Sequence, residues 1–203
     1  MLRRTFVALA AFAAVIAPAA LPAATSAQSM EAAIAADIDA WYAGQFANAG
    51  AGYSSPNLAA VEGEITTACG PVDPYILGPA AYCPLDGTVY VTPVWEQVYG
   101  QEEWITILAH EWGHHAQMLL GFSGYPTDES ELQADCLAGA YVADAEARGA
   151  VPNGTYTRGM GASIRAGAPP FLPDEADVHG TGSERAGSYA DGYFNSIGAC
   201  GLI

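Results

Sequence analysis

The stretch "LAHEWGHHAQMLLG", Leu108 to Gly121, holds three of the chain's four histidines, His110, His114 and His115, with Glu111 among them. Around it, Ile105, Leu108, Trp112, Ala116 and Leu119 recur at spacings of three and four. That period predicts an amphipathic helix over about residues 101–120, with Gly121 as its C-terminal cap. Residues i and i+4 of a helix stand about 40° apart, so His110 and His114 project from one face, opposite the apolar stripe. The segment His110-Glu111-Trp112-Gly113-His114 is thus an H-E-x-x-H pattern whose two imidazoles can hold one zinc ion. Glu111 lies about 100° round the helix from His110, so it can reach a water beside the metal without ligating the metal itself. His115, about 140° from His110, points elsewhere and is expected to be structural.

A catalytic zinc usually takes three protein ligands and leaves one position for water. A further histidine six residues after His114 would complete one known arrangement, but that position is Leu120. The other source is a carboxylate on a following helix. The segment "TDESELQADCLAG" (127–139) supplies Glu129, Glu131 and Asp135. Glu131 and Asp135 share a face at i and i+4, so one can ligate while the other accepts a hydrogen bond from the far nitrogen of a ligating histidine. On spacing alone, either Glu129 or Glu131 serves as the ligand.

Outside these two helices the chain reads as one α+β domain, mostly helical, with a small antiparallel sheet or hairpin. "MEAAIAADIDAWYAGQFA" (30–47) carries Ile34, Ile38, Trp41, Tyr42 and Phe46 at helical spacing. A strand is expected near residues 65–68. "AAYCPLDGTVYVT" (80–92) has two β-prone flanks about Asp86-Gly87, a hairpin signal, with Val89 and Val91 on one face. Strand 88–92 either offers an edge to an extended peptide or is an ordinary core strand. A helix over about 128–148 is expected with Asp128 as its cap and Gly149 after its end. "GAPP" and "FLPDEADVHGTGSE" read as loop, and "RAGSYADGYFNSIG" as a last helix.

"MLRRTFVALAAFAAVIAPAALPAATSAQS" has a basic start, a short apolar run and a small-residue exit. It reads as a secretory signal peptide over residues 1–27, followed by a domain over 28–203. If it is not cleaved, it is a membrane anchor. No later stretch is apolar for the roughly 20 residues a spanning helix needs. The expected location is therefore periplasmic or secreted, without stable membrane insertion after cleavage. There is no lysine, and two of the six arginines fall in the first 27 residues, which contain none of the 22 acidic residues. The remainder, with four arginines against 22 carboxylates, carries a formal charge of −18. Such a surface repels nucleic acid. Four cysteines in an exported chain point to two disulfides. Cys69–Cys83 would close a short turn-rich loop, and Cys136–Cys200 would tie a helix to the C-terminus. A four-cysteine zinc site is disfavoured because no C-x-x-C pair exists.

"LAHEWGHHAQ", "ELQADCLAG", "YCPLDGTVY" and "HGTGSER" resemble the matching segments of the bacterial Putative neutral zinc metallopeptidase family. The likeness covers about residues 60–200. It implies a zincin-type peptidase acting on peptide or protein substrates with one Zn²⁺ per chain. In that likeness Glu131, opening an E-x-x-A-D pattern, is the third ligand beside His110 and His114, and Asp135 orients a ligating histidine. It implies the same two disulfide pairings. The family's serine after "HGT" is Gly182 here, with Ser183 next. In related zincins a histidine placed like His179 faces the cleft and stabilises the oxyanion, with Arg185 orienting its loop. Without that role, His179 caps a helix and Arg185 makes an internal ion pair. The reading that follows is an exported zinc peptidase with Glu111 as general base. Its rival is an exported non-catalytic zinc-binding or interaction domain.

Overall fold

The computed structural model describes residues 28–96, 98–122, 127–167 and 179–202. The signal-peptide reading of residues 1–27 and most of the "GAPP…ADV" loop lie outside them. In the first helix, α1 (Gln28–Asn48), Ile34, Ile38, Tyr42 and Phe46 repeat every four residues and are all buried. That row packs α1 against α3 (Gln101–Leu119), whose buried face is Ile105, Leu108, Trp112 and Ala116.

Between these helices lie β1 (Asn57–Ala60), β2 (Ile65–Thr67), β3 (Gly70–Val72), the single-turn helix α2 (Pro74–Leu77), β4 (Ala80–Cys83), β5 (Thr88–Val91) and a 3₁₀ turn over Pro93–Trp95. β2 and β3 form a small antiparallel pair. β4 and β5 form the expected hairpin, with Val89 and Val91 in the core. The connection runs from Cys83 to Thr88, and Asp86 accepts a hydrogen bond from the Thr88 amide at 3.1 Å.

The hairpin is not alone: β1 pairs with β5 in parallel, giving the order β1-β5-β4. Of the two readings of residues 88–92, the core strand is the one the structure takes. β5 is the central strand with both edges bonded, and β4 is the edge that faces the site. α2 is fastened to the segment after β5, because Trp95 Nε1 donates to the Pro74 carbonyl at 2.9 Å and Thr92 Oγ1 donates to the Gly78 carbonyl.

After α3 come α4 (Asp128–Arg148), α5 (Thr155–Ala166), α6 (Gly182–Asn195) and a 3₁₀ turn over Ile197–Cys200. The cap of α4 is Thr127 rather than Asp128: the Thr127 hydroxyl accepts from the Ser130 amide, while the Ser130 hydroxyl accepts from the Thr127 amide. Gly149, at φ 70°, closes the helix as expected. α5 went unrecognised in the sequence. α6 starts three residues earlier than expected, because Thr181 and Glu184 form a capping box.

The three helices at the site approach one another through glycine. A Cβ on Gly192 of α6 would stand 1.8 Å from the Cys136 carbonyl oxygen of α4, and one on Gly139 would stand 2.0 Å from the Tyr189 carbonyl oxygen. Gly113, inside the H-E-x-x-H segment, lets α3 approach α4 closely, since a Cβ there would lie 3.1 Å from Ala134 Cα. Two disulfides complete the fold, Cys69–Cys83 and Cys136–Cys200, with Cα separations of 5.8 and 5.5 Å. The chain is one mostly helical α+β domain, with six α-helices among the described residues.

Candidate metal centre

α3 and α4 run side by side, and their facing surfaces bring His110, His114 and Glu131 together. His110 Nε2 and His114 Nε2 are 3.0 Å apart. The Glu131 carboxylate lies 3.3 Å from each of those nitrogens, one oxygen toward each. Two ligand atoms at zinc-ligand distances from a tetrahedral centre are separated by about 3.3 Å. The three separations therefore match the edges of such a polyhedron. Glu129, the other carboxylate that spacing allowed, does not join this cluster.

The opposite nitrogens explain why the Nε2 atoms face inward. His110 Nδ1 lies 3.0 Å from Asp135 Oδ1. Burial alone would raise the Asp135 carboxyl, but the His110 and Arg185 charges outweigh it and hold Asp135 below the ordinary carboxylate range. Asp135 is therefore an acceptor and His110 Nδ1–H the donor, which leaves Nε2 as the nitrogen turned toward the cluster. His114 is oriented by Gln117, a residue that reading the sequence overlooked. Gln117 Nε2 donates to the Ser130 carbonyl at 2.8 Å and to Gln133 Oε1 at 2.9 Å, so its Oε1 faces His114 Nδ1, 2.9 Å away. His114 Nδ1–H donates there and keeps its own Nε2 lone pair. The available signal was position: Gln117 is three residues beyond His114 on the same helix.

The Nε2 atoms of two imidazoles and a carboxylate now point at one another. Burial pulls His110 down, yet the Asp135 and Glu131 carboxylates push it up to about 10. Burial likewise opposes ionisation of Glu131, but the two imidazoles hold its carboxyl far below its ordinary range. These directions describe an acceptor cluster drawing in positive charge. A metal cation is the group that satisfies all three donors at once.

The cluster opens into a cavity of about 330 Å³, lined also by Glu111, Asp135, His179 and Arg185, with Ala80, Ala81 and Tyr82 of β4 on one wall. Glu111 is buried beside the ligand face. His179 is exposed on the rim. Arg185 is buried and forms the internal ion pair, with its Nε 2.6 Å from Asp135 Oδ2 and its Nη1 3.2 Å from Glu131 Oε2. His115 is engaged elsewhere: its Nε2–H donates to the Ser54 carbonyl at 2.6 Å, and its Nδ1 accepts from the Tyr82 hydroxyl at 3.0 Å. It ties α3 to β4 through Tyr82 and is not itself part of the cavity lining. A larger hollow of about 550 Å³ lies between α1, α4 and α6, but its only carboxylate, Asp144, is paired with Arg148.

The chain belongs to the family described as "Putative neutral zinc metallopeptidase", whose family model matches residues 9–125. Among similar proteins, "Uncharacterized protein Rv2575" of Mycobacterium tuberculosis is 36% identical over 110 residues, covering 44% of this chain and 36% of that protein. "Uncharacterized protein YpfJ" of Escherichia coli K12 is 28% identical over 190 residues, covering 79% of this chain and 65% of YpfJ. The chain thus spans little more than a third of the mycobacterial relative and about two thirds of YpfJ. No solved structure shows a significant match. The two disulfides suit an oxidising, extracytoplasmic compartment. Among the described residues, no helix is long and apolar enough to cross a membrane.

Proposed function

We propose that this protein is an exported zinc-dependent peptidase, with a signal peptide over residues 1–27 and a peptidase domain over 28–203. The observation that carries the reading is the convergence of His110 Nε2, His114 Nε2 and the Glu131 carboxylate, with each imidazole's other nitrogen fixed by Asp135 or Gln117. His110, His114 and Glu131 would hold one zinc ion. When bound, the metal supplies the Lewis acidity that makes a water nucleophilic near neutral pH and steadies negative charge on the attacked carbonyl.

The remaining steps belong to the chain. Glu111, buried on the ligand face, accepts a proton from the attacking water as the water oxygen bonds to the carbonyl carbon. It then delivers that proton to the amide nitrogen as the C–N bond breaks, releasing an amine and a carboxylic acid. His179, exposed at the rim, donates to the carbonyl oxygen as charge develops there. β4 presents the free sheet edge along the cavity wall, where an extended peptide substrate can pair through its main chain.

Glu111→Gln tests the assignment, since it keeps the shape and removes the base. The variant should retain one zinc per chain and lose cleavage of a denatured protein mixture by at least about 100-fold. A metal-loaded wild type that cleaves nothing would instead favour a non-catalytic zinc-binding domain.

A further inference from the structure

We infer that Arg185 is a positioning residue for the metal centre: one buried guanidinium braces Glu131 and Asp135 together, so that the donor set is assembled before any metal arrives. The inference rests on the zinc reading above and extends it to a residue outside the ligand set. Arg185 reaches the site from α6, where the Thr181 capping box fixes the first turn and the Arg185 amide bonds the Thr181 carbonyl at 3.0 Å. Its Nε and Nη2 fork onto the two oxygens of Asp135 at 2.6 and 3.2 Å. Its Nη1 meets Glu131 Oε2 at 3.2 Å and the Ala166 carbonyl at 3.3 Å. A single side chain thereby joins α4, the end of α5 and the start of α6.

Charge makes the brace necessary. Glu111, Glu131 and Asp135 are all buried, at 7%, 5% and 2% exposure, and Arg185 is buried among them at 4%. Three carboxylates withdrawn from water repel one another, and an unmatched one costs several kcal/mol. Arg185 matches one negative charge, and a divalent cation would match the other two. Arg185 is only 4% exposed at the cavity wall, and its nitrogens are engaged by Asp135, Glu131 and the Ala166 carbonyl, with Nη2 also 3.4 Å from His110 Nε2, so its action runs through the groups it holds. The planar fork also matters, since an ammonium offers one point of charge where Arg185 offers two parallel donors to Asp135 and a third to Glu131.

The sign of one measurement separates a brace from a bystander. A cation near a dication repels it, so removal of a bystander would tighten zinc binding. Removal of a brace frees Glu131 and Asp135 to move apart and weakens binding. Zinc affinity is to be measured by chelator competition on the full chain, for the wild type, Arg185→Met and Arg185→Lys, with the metal-free melting of each followed by circular dichroism. We expect Arg185→Met to bind zinc roughly 10- to 100-fold more weakly. Arg185→Lys should fall between it and the wild type, with the cobalt-substituted spectrum shifted in both. If Arg185→Met does not fold, Arg185→Lys decides alone, because it keeps the charge and loses the fork. Unchanged or tighter binding in a folded variant overturns the inference. A wild type that takes up no zinc overturns the metal reading itself, and the inference with it.

Discussion

Gly192 of α6 lies against Cys136 of α4 so closely that any β-carbon on Gly192 would overlap the Cys136 carbonyl oxygen, at 1.8 Å. That contact is backbone against backbone, so no side chain can turn aside to relieve it. Gly192→Ala should therefore push α6 off α4 and cost about 1–3 kcal/mol or more, read as a lower urea midpoint. Zinc affinity should fall with it, because Arg185 rides on the displaced helix. Gly187→Ala, on the same helix with open space around it, is the control and should leave both unchanged.

Gln117 offers a test of the ligand geometry that leaves the ligands in place. Gln117→Leu removes the acceptor for His114 Nδ1–H and the two bonds to α4. Zinc binding should weaken roughly 10- to 100-fold while far-ultraviolet circular dichroism is retained. Equal affinity would mean that His114 needs no such partner.

The disulfides should separate in their effects. Cys136–Cys200 closes a span of 64 residues, and its replacement by serines should cost about 4 kcal/mol. Cys69–Cys83 closes only 14 and fastens the β2–β3 pair to the end of β4. Its loss should cost about 3 kcal/mol by chain entropy. It should also raise KM for long peptides more than it lowers kcat, since β4 walls the cavity.

Glu31, which lies outside the His110–His114–Glu131 cluster, sets a pH dependence of its own. Burial, reinforced by the neighbouring Glu96 carboxyl, raises its pKa to about 7. An acid whose folded pKa exceeds its unfolded value favours the native state most when protonated in both states. Its contribution is full below about pH 4.5 and is lost as pH rises through about 7. Glu31→Gln should flatten the urea midpoint between about pH 5 and pH 8 and raise it at the upper end.

Much of this molecule was readable from residue spacing. The α3 stripe gave a helix because its buried face is Ile105, Leu108, Trp112 and Ala116, large apolar groups at a clear period. α5 escaped notice because its buried residues are Thr155, Gly159, Ala162 and Ser163, which carry almost no apolar signal. It packs by absence of bulk: a Cβ on Gly159 would lie 2.2 Å from Thr106 Oγ1. β1, with the sequence Asn-Leu-Ala-Ala, exists through its pairing with β5 some thirty residues on, a partner no local pattern reveals. That missing strand is also why local pattern leaves open whether residues 88–92 form an edge or a core strand. Thr127 and Asp128 are both capable caps, and only the Ser130 bonds decide between them. At the site, the i and i+4 rule placed Glu131 and Asp135 on one face. It is silent on which histidine partners which acceptor, because that depends on how α3 and α4 dock.

The donor set has an uneven ancestry along the chain. His110, His114, Gln117, Glu131 and Asp135 all belong to two consecutive helices, α3 and α4, with His110 and Asp135 separated by 25 positions. Arg185 comes from 50 positions beyond Asp135. Contacts close in sequence cost little loop entropy and form early, whereas distant ones wait for the chain to finish folding. The two consecutive helices can thus gather their ligands as a local event, while the guanidinium arrives only once α6 has docked through its glycines. Completion of the fold and completion of the metal site then become the same event, so a half-folded chain would hold its metal loosely and a finished one firmly.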